Sequence, residues 1–124
     1  MKKNRLLQLV FFAAAMFLYL PAIAQNESVV TLSGNAYITS GQTAFIDEDH
    51  CAIRNWSDKE TVISFYFRTY ESGQMKIALQ AKGKSQIEVS LLDKKKKVTL
   101  NSDAMSRIEL GTFKVKNPGY VKMD

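Results

Sequence analysis

The residues from Asn55 to Lys82, NWSDKETVISFYFRTYESGQMKIALQAK, constrain the fold more than any other part of the chain. Between Thr61 and Tyr70 the odd positions supply Ile63, Phe65 and Phe67, and the even ones Ser64, Tyr66, Arg68 and Tyr70. Side chains on an extended strand alternate between two faces. One face is therefore large and apolar, and the other mixes aromatic rings with a guanidinium and a hydroxyl. Glu71-Ser72-Gly73 reads as a turn, after which Met75, Ile77, Leu79 and Ala81 alternate with Lys76, Ala78, Gln80 and Lys82. The two runs predict a β-hairpin in which Ile63, Phe65 and Phe67 lie beside Met75, Ile77 and Leu79 on a shared core face.

The remaining segments are also short, β-branched and separated by turn residues. Ser28–Leu32, Ala36–Thr39, Thr43–Ile46 and Cys51–Ile53 read as strands. So do Ile87–Leu91, Lys97–Leu100, Ile108–Leu110, Phe113–Val115 and Tyr120–Met123. Gly83-Lys84, Asp93 with the lysines after it, Asn101-Ser102-Asp103 and Asn117-Pro118-Gly119 read as turns. Such spacing, with no helical stripe, predicts an all-β antiparallel sandwich or barrel. The last run stops in mid-alternation at Asp124, so that strand is expected to have no flanking residues to hold it.

The N-terminus has the layout of a secretory signal peptide. Lys2, Lys3 and Arg5 precede an apolar run from Leu6 to Leu20, and Ala22-Ile23-Ala24 is a small-x-small cleavage site. The expected division is a signal peptide over 1–24 and a β-sandwich domain over 25–124, with a secreted or periplasmic location. No membrane span is expected after cleavage, because the apolar run is shorter than the roughly 20 residues a spanning helix needs. Three of the 17 basic residues leave with the leader while all 12 acidic ones stay, so the mature net charge is +2. So small a charge gives no field of the kind that recruits nucleic acid. The single Cys51 excludes an internal disulfide and is expected in the core.

Several constellations bear on chemistry. Asp47, Glu48, Asp49 and Asp58 crowd oxygen ligands that suit calcium, but Cys51 and Ala52 fall where an EF-hand needs an oxygen and a glycine. No cofactor is expected, and calcium in another geometry stays open. One His and one Cys are too few for a structural zinc site. There is no Gly-x-Ser-x-Gly elbow for a serine hydrolase. Glu60, Glu71 and Glu88 leave a small paired-carboxylate glycosidase as an alternative, although an enzyme is not the expectation. Lys94–Lys97 reads as a solvated hairpin turn that guards a strand edge.

Aromatic residues give the better lead. Sugars present a flat C–H face that packs on Trp or Tyr, while amides and guanidinium groups take the hydroxyls. Tyr37, Asn55, Trp56, Tyr66, Arg68, Tyr70 and Tyr120 supply that mixture, and all of these but Tyr70 are the candidate ligand-binding residues.

Gly34-Asn35-Ala36-Tyr37, Asn55-Trp56-Ser57, Phe65-Tyr66-Phe67-Arg68, Gly111-Thr112-Phe113 and Asn117-Pro118-Gly119-Tyr120-Val121 together resemble a module of secreted bacterial proteins. It is the domain-of-unknown-function family catalogued as "fifty seventy-seven", and the likeness runs from about Val29 to the end. The resemblance implies a galactose-binding-like jelly roll similar to carbohydrate-binding modules, often followed by a second domain. Family members tend to continue beyond the Gly-Tyr-Val segment, which implies that this sheet is incomplete at its C-terminus. The resulting expectation is a non-catalytic carbohydrate-binding or accessory module whose partner is a glycan or polysaccharide. The alternative is a structural or protein-interaction sandwich that pairs an open strand edge with a missing C-terminal domain or another protein.

Overall fold

The computed structural model describes residues 26–124. The expected signal peptide and Gln25 lie outside the described residues. Those described form seven β-strands and no helix: β1 (Ala36–Ser40), β2 (Phe45–Asp47), β3 (Ala52–Arg54), β4 (Val62–Thr69), β5 (Gly73–Leu91), β6 (Lys94–Val115) and β7 (Gly119–Met123). All pairings are antiparallel. Five strands make one curled sheet in the order β1-β4-β7-β5-β6, and β2 and β3 form a separate small hairpin. The all-β expectation is met.

The β5–β6 ribbon dominates the molecule, with strands of 19 and 22 residues. Its turn is the two-residue loop Leu92-Asp93, with φ of 49° and 61°. Two successive left-handed residues match the twist of a hairpin but strain any side chain bearing a Cβ. Leu92 offsets part of that cost by packing against the core. The four lysines are not the turn, as expected, but the first residues of β6, paired with Glu88–Leu91 of β5.

Gly83-Lys84 and Asn101-Ser102-Asp103 were expected to end strands. Instead the ladder resumes through them, with Gly83 opposite Ser102 and Lys84 opposite Asn101. The register slips between Ala81 and Gly83, leaving residues 103–105 of β6 as extra chain opposite Lys82. Such a bulge bends a ribbon without ending it. The bend brings the two halves of the ribbon together. Val89, Leu91 and Val98 from the tip half share one buried cluster with Leu110 and Phe113 from the base half, and with Val121 and Met123 of β7. Within β6 itself, a Cβ placed on Gly111 would meet Lys96 Nζ at 2.9 Å.

Alternation assigned the faces of β4 correctly. Ile63 is buried, and Phe65 and Phe67 pack against the core, while Tyr66 and Arg68 are exposed. The expected β4–β5 hairpin does not form. β4 pairs with β1, Ala36 facing Phe65, and with β7, Phe67 facing Val121. Periodicity fixes which side chains face the core but not which strand lies alongside. Phe65, Phe67, Met75, Ile77 and Leu79 thus share a core without sharing a ladder.

The C-terminal run also differs from expectation. β7 is an interior strand, bonded to β4 over five residue pairs and to the tip of β5 through Leu91–Met123. Ser90 and Asp124 exchange both backbone hydrogen bonds, at 2.8 and 3.0 Å. The edges of the sheet are β1 and β6. At the other end of the domain, Ser28–Leu32 forms no strand, and Val29 and Val30 are exposed, with no strand among the described residues pairing to them. Cys51 is exposed too. It closes the β2–β3 turn at a left-handed φ of 48°, in a hairpin separate from the five-stranded sheet.

Candidate functional site

The outer face of the sheet follows from the register. Neighbours across a ladder point to the same side, so Tyr37 (β1), Ser64 (β4), Asp124 and Ser90 (β5) form one row. Tyr66 and Lys122 form the next, and Arg68 and Tyr120 the one after. Tyr70 follows Arg68 at the end of β4. Four of the six residues expected at a binding site, Tyr37, Tyr66, Arg68 and Tyr120, are brought together on this face, drawn from three strands that are far apart in sequence.

Their geometry is ordered. The Tyr37 and Tyr66 rings meet edge to face, with centroids 5.9 Å apart and planes at 70°. The Tyr37 hydroxyl donates to the Gly34 carbonyl at 3.2 Å, which fixes the ring at the sheet edge. The Arg68 guanidinium carbon lies 5.5 Å from the Tyr70 centroid and 5.7 Å from that of Tyr120. A cation between two ring quadrupoles is held without a counter-charge. Beside it, the Thr69 hydroxyl donates to the Gly119 carbonyl at 3.2 Å and accepts from the Gly119 N–H at 3.3 Å, locking β4 to β7. Tyr70 and Tyr120 remain 78% and 82% exposed, so their free faces are open to a ligand.

Beneath the rings is a polar floor. The fully buried Ser64 hydroxyl donates to Asp124 Oδ1 at 2.5 Å and lies 3.0 Å from the Thr39 hydroxyl. Lys122 Nζ donates to Asp124 Oδ2 at 2.9 Å. Partial burial pushes the Asp124 carboxyl up, but the bonds from Ser64 and Lys122 outweigh it and hold the group below the usual carboxylate range. The same contact raises Lys122, chiefly through the hydrogen bond to Asp124. Ser64, Lys122 and Asp124 had not been placed at the site, and the stacked Tyr70 had been named for its chemistry but not among the candidate binding residues. Tyr70 was signalled by continuing the even positions of β4 one residue past its end. The others depend on a β4–β7 register that spans some fifty residues and that local patterning does not encode.

Asn55 and Trp56 are not part of this cluster. They occupy the connection from β3 to β4, where Asn55 takes a φ of 55° and its carbonyl accepts the Ser57 N–H at 2.9 Å. Trp56 is 40% exposed, and among the described residues neither side chain bonds or stacks with the tyrosine face.

The other constellations disperse. Asp47 is engaged by Arg54 Nε at 2.6 Å and by His50 Nδ1 at 2.9 Å. Those two contacts, Arg54 first, draw its carboxyl down to about 2. Asp58 accepts from Thr43 and Thr61, at 2.5 and 2.6 Å. Among the described residues no three His, Cys, Asp or Glu side chains converge. Glu60 and Glu71 flank opposite ends of β4, whose eight residues span about 26 Å. That separation is several times what carboxylates acting across one glycosidic bond tolerate. The lysine run divides between faces by alternation, with Lys95 opposite Ser90 on the outer side and Lys96 reaching over Gly111 on the inner.

Comparison with curated proteins gives no match. The sequence does match the family described as Domain of unknown function (DUF5077) over residues 30–124, a span that takes in all seven strands. The chain whose sheet carries this tyrosine and arginine face therefore belongs to the DUF5077 family.

Proposed function

We propose that the chain is an exported, non-catalytic carbohydrate-binding or accessory module of jelly-roll, galactose-binding-like type, and that a glycan lies across the outer face of the sheet. The observation that carries this reading is the strip of Tyr37, Tyr66, Arg68, Tyr70 and Tyr120, in which guanidinium and rings are pre-positioned and, among the described residues, exposed. Rings held in place lose little entropy on stacking against a sugar, and a guanidinium supplies directional donors for its oxygens. The leader read from residues 1–24 supports export. β7 is bonded to β4 over five pairs and to β5 through Leu91–Met123, so a protein interaction by strand pairing would use the edges β1 or β6 instead.

Affinity electrophoresis of the purified protein through gels containing a broad panel of soluble polysaccharides tests the reading. At least one polymer should retard the protein, and Tyr66→Ala and Tyr120→Ala should each weaken that retardation by roughly tenfold. Trp56→Ala should leave it unchanged, since the loop stands apart from the strip. A panel with no retarding polymer, or tyrosine variants that bind like wild type, sinks the proposal.

A further inference from the structure

The charge on the outer face narrows the class of sugar, on the premise that this face binds carbohydrate. Four cations lie in its registers, Arg68, Lys122, Lys95 and Lys97, against two acids, Asp124 and Glu88. Lys122 is committed to Asp124 at 2.9 Å and Lys95 to Glu88 at 3.4 Å. Lys97, opposite Glu88 in the ladder, forms no ion pair among the described residues, and Arg68 differs from all three lysines in being held between two aromatic rings. Among the described residues it forms no ion pair and no side-chain hydrogen bond, and Glu71, just beyond Tyr70, makes no ion pair either. Among the described residues the only partners of Arg68 are the two tyrosine rings, which hold its charge in place and leave its N–H edge without an acceptor.

We propose that Arg68 is the receptor for a sugar carboxylate, so that the face takes an anionic, uronate-containing polysaccharide. A planar guanidinium matches a carboxylate bidentately, which a neutral hydroxyl cannot exploit. A uronate carries its carboxylate at the rim of a ring whose C–H face packs on the open side of Tyr120 or Tyr70. Tyr66, two residues along β4 from Arg68 and about 7 Å away, extends the platform beyond one ring, so a polymer is favoured over a free sugar. General attraction to polyanions does not account for such a site, because the mature chain is only +2 overall and its lysine run is split between two faces.

The test uses polygalacturonate and the same polymer after carboxyl reduction, with dextran sulfate as a third arm, in gels at about 0.15 M salt where long-range attraction is screened. Polygalacturonate should retard the protein strongly and its reduced form roughly tenfold less or not at all. Arg68→Ala should abolish the difference between the two, and Arg68→Lys should restore only a fraction of it, since an ammonium lacks the fork. Lys114→Ala, an equal loss of charge on the base half of the ribbon, should bind like wild type. Unfolding midpoints should be unchanged in the Arg68 variants, because that side chain is exposed. Equal retardation by the native and reduced polymers, or a preference that survives Arg68→Ala, overturns the carboxylate assignment while leaving carbohydrate binding intact. Stronger retardation by dextran sulfate, lost equally in Lys114→Ala, overturns it in favour of nonspecific charge. Failure of every polymer in the panel overturns the carbohydrate reading itself.

Discussion

If the long ribbon folds back on itself, its two halves must support one another energetically, and Leu91 and Leu110 are the residues with which to ask. Leu91 is 1% exposed in the tip half and Leu110 is 2% exposed in the base half, within one cluster. Truncating either to alanine removes three buried carbons, or about 2.4 kcal/mol at ~0.8 kcal/mol each. The residual cavity raises the expected loss to about 2.5–5 kcal/mol. For a domain of this size each kcal/mol lowers the melting temperature by about 4–8 °C, so even the lower bound predicts a fall of about 10–20 °C. Against a total stability of about 5–15 kcal/mol, either variant stays foldable in the cold while the double variant is marginal. The decisive quantity is therefore the double-mutant cycle, measured by urea unfolding followed by circular dichroism. Side chains sharing one cavity should couple by about 0.5–3 kcal/mol, whereas separate sites add within a few tenths. Strict additivity, or a loss below about 1 kcal/mol for Leu91→Ala, would refute a ribbon curled around a common core.

Three smaller perturbations probe other contacts. Ser64→Ala strips the buried donor from Asp124, whose side chain is 34% exposed, so the charged hydrogen bond is worth about 1–2 kcal/mol after allowance for solvent. Because Asp124 is held below its ordinary value in the folded state, that stabilisation is present above about pH 4 and lost as pH falls. Denaturant midpoints of the two proteins should accordingly converge in acid, and parallel curves across pH would contradict the assignment. Arg54→Ala should return Asp47 from about 2 towards its ordinary 3.8, as read by carboxyl carbon NMR. In the wild type, the matching stability appears above about pH 4 and fades towards pH 2. An unmoved titration would show that Arg54 is not the main cause. Cys51, exposed at a turn, should react with a thiol reagent in the native protein as fast as in urea, and protection would place it in the core instead.

Much of this fold was written in local pattern. The period-two alternation of β4 gave its core face and its solvent face, and Tyr66 and Arg68 lie where that alternation put them. Pattern failed where a decision belonged to distant chain. Gly83 and Asn101–Asp103 have turn composition, but they bend a ribbon whose ladder holds on both sides of them. The partner of β4 was misassigned for the same reason, since Met75, Ile77 and Leu79 satisfy the same core as Val121 and Met123 without being hydrogen-bonded to β4. The site was legible as residue types and only partly as a place. Tyr37, Tyr66, Arg68 and Tyr120 were named from their chemistry and are joined by the β1–β4–β7 register, while Asn55 and Trp56, with the same chemistry, stand in a loop apart from them. Cys51 went the other way because a small apolar residue usually prefers the core, and here a left-handed turn position overrode that preference.

The interior position of β7 also orders events in time. β4 and the tip of β5 cannot touch until a strand that follows both in sequence has slid between them, and Ser64 must find Asp124 across sixty residues. Pairings of such long sequence separation form late and slowly. Until then each side of the slot presents a bare row of N–H and C=O groups, and the β7 segment of a second copy fits there as well as the chain's own. Strand exchange is thus the misfolding route that such an open slot predicts. A dimer made that way would rebuild the Arg68–Tyr120 contact between two chains, so ligand binding alone would not reveal the swap.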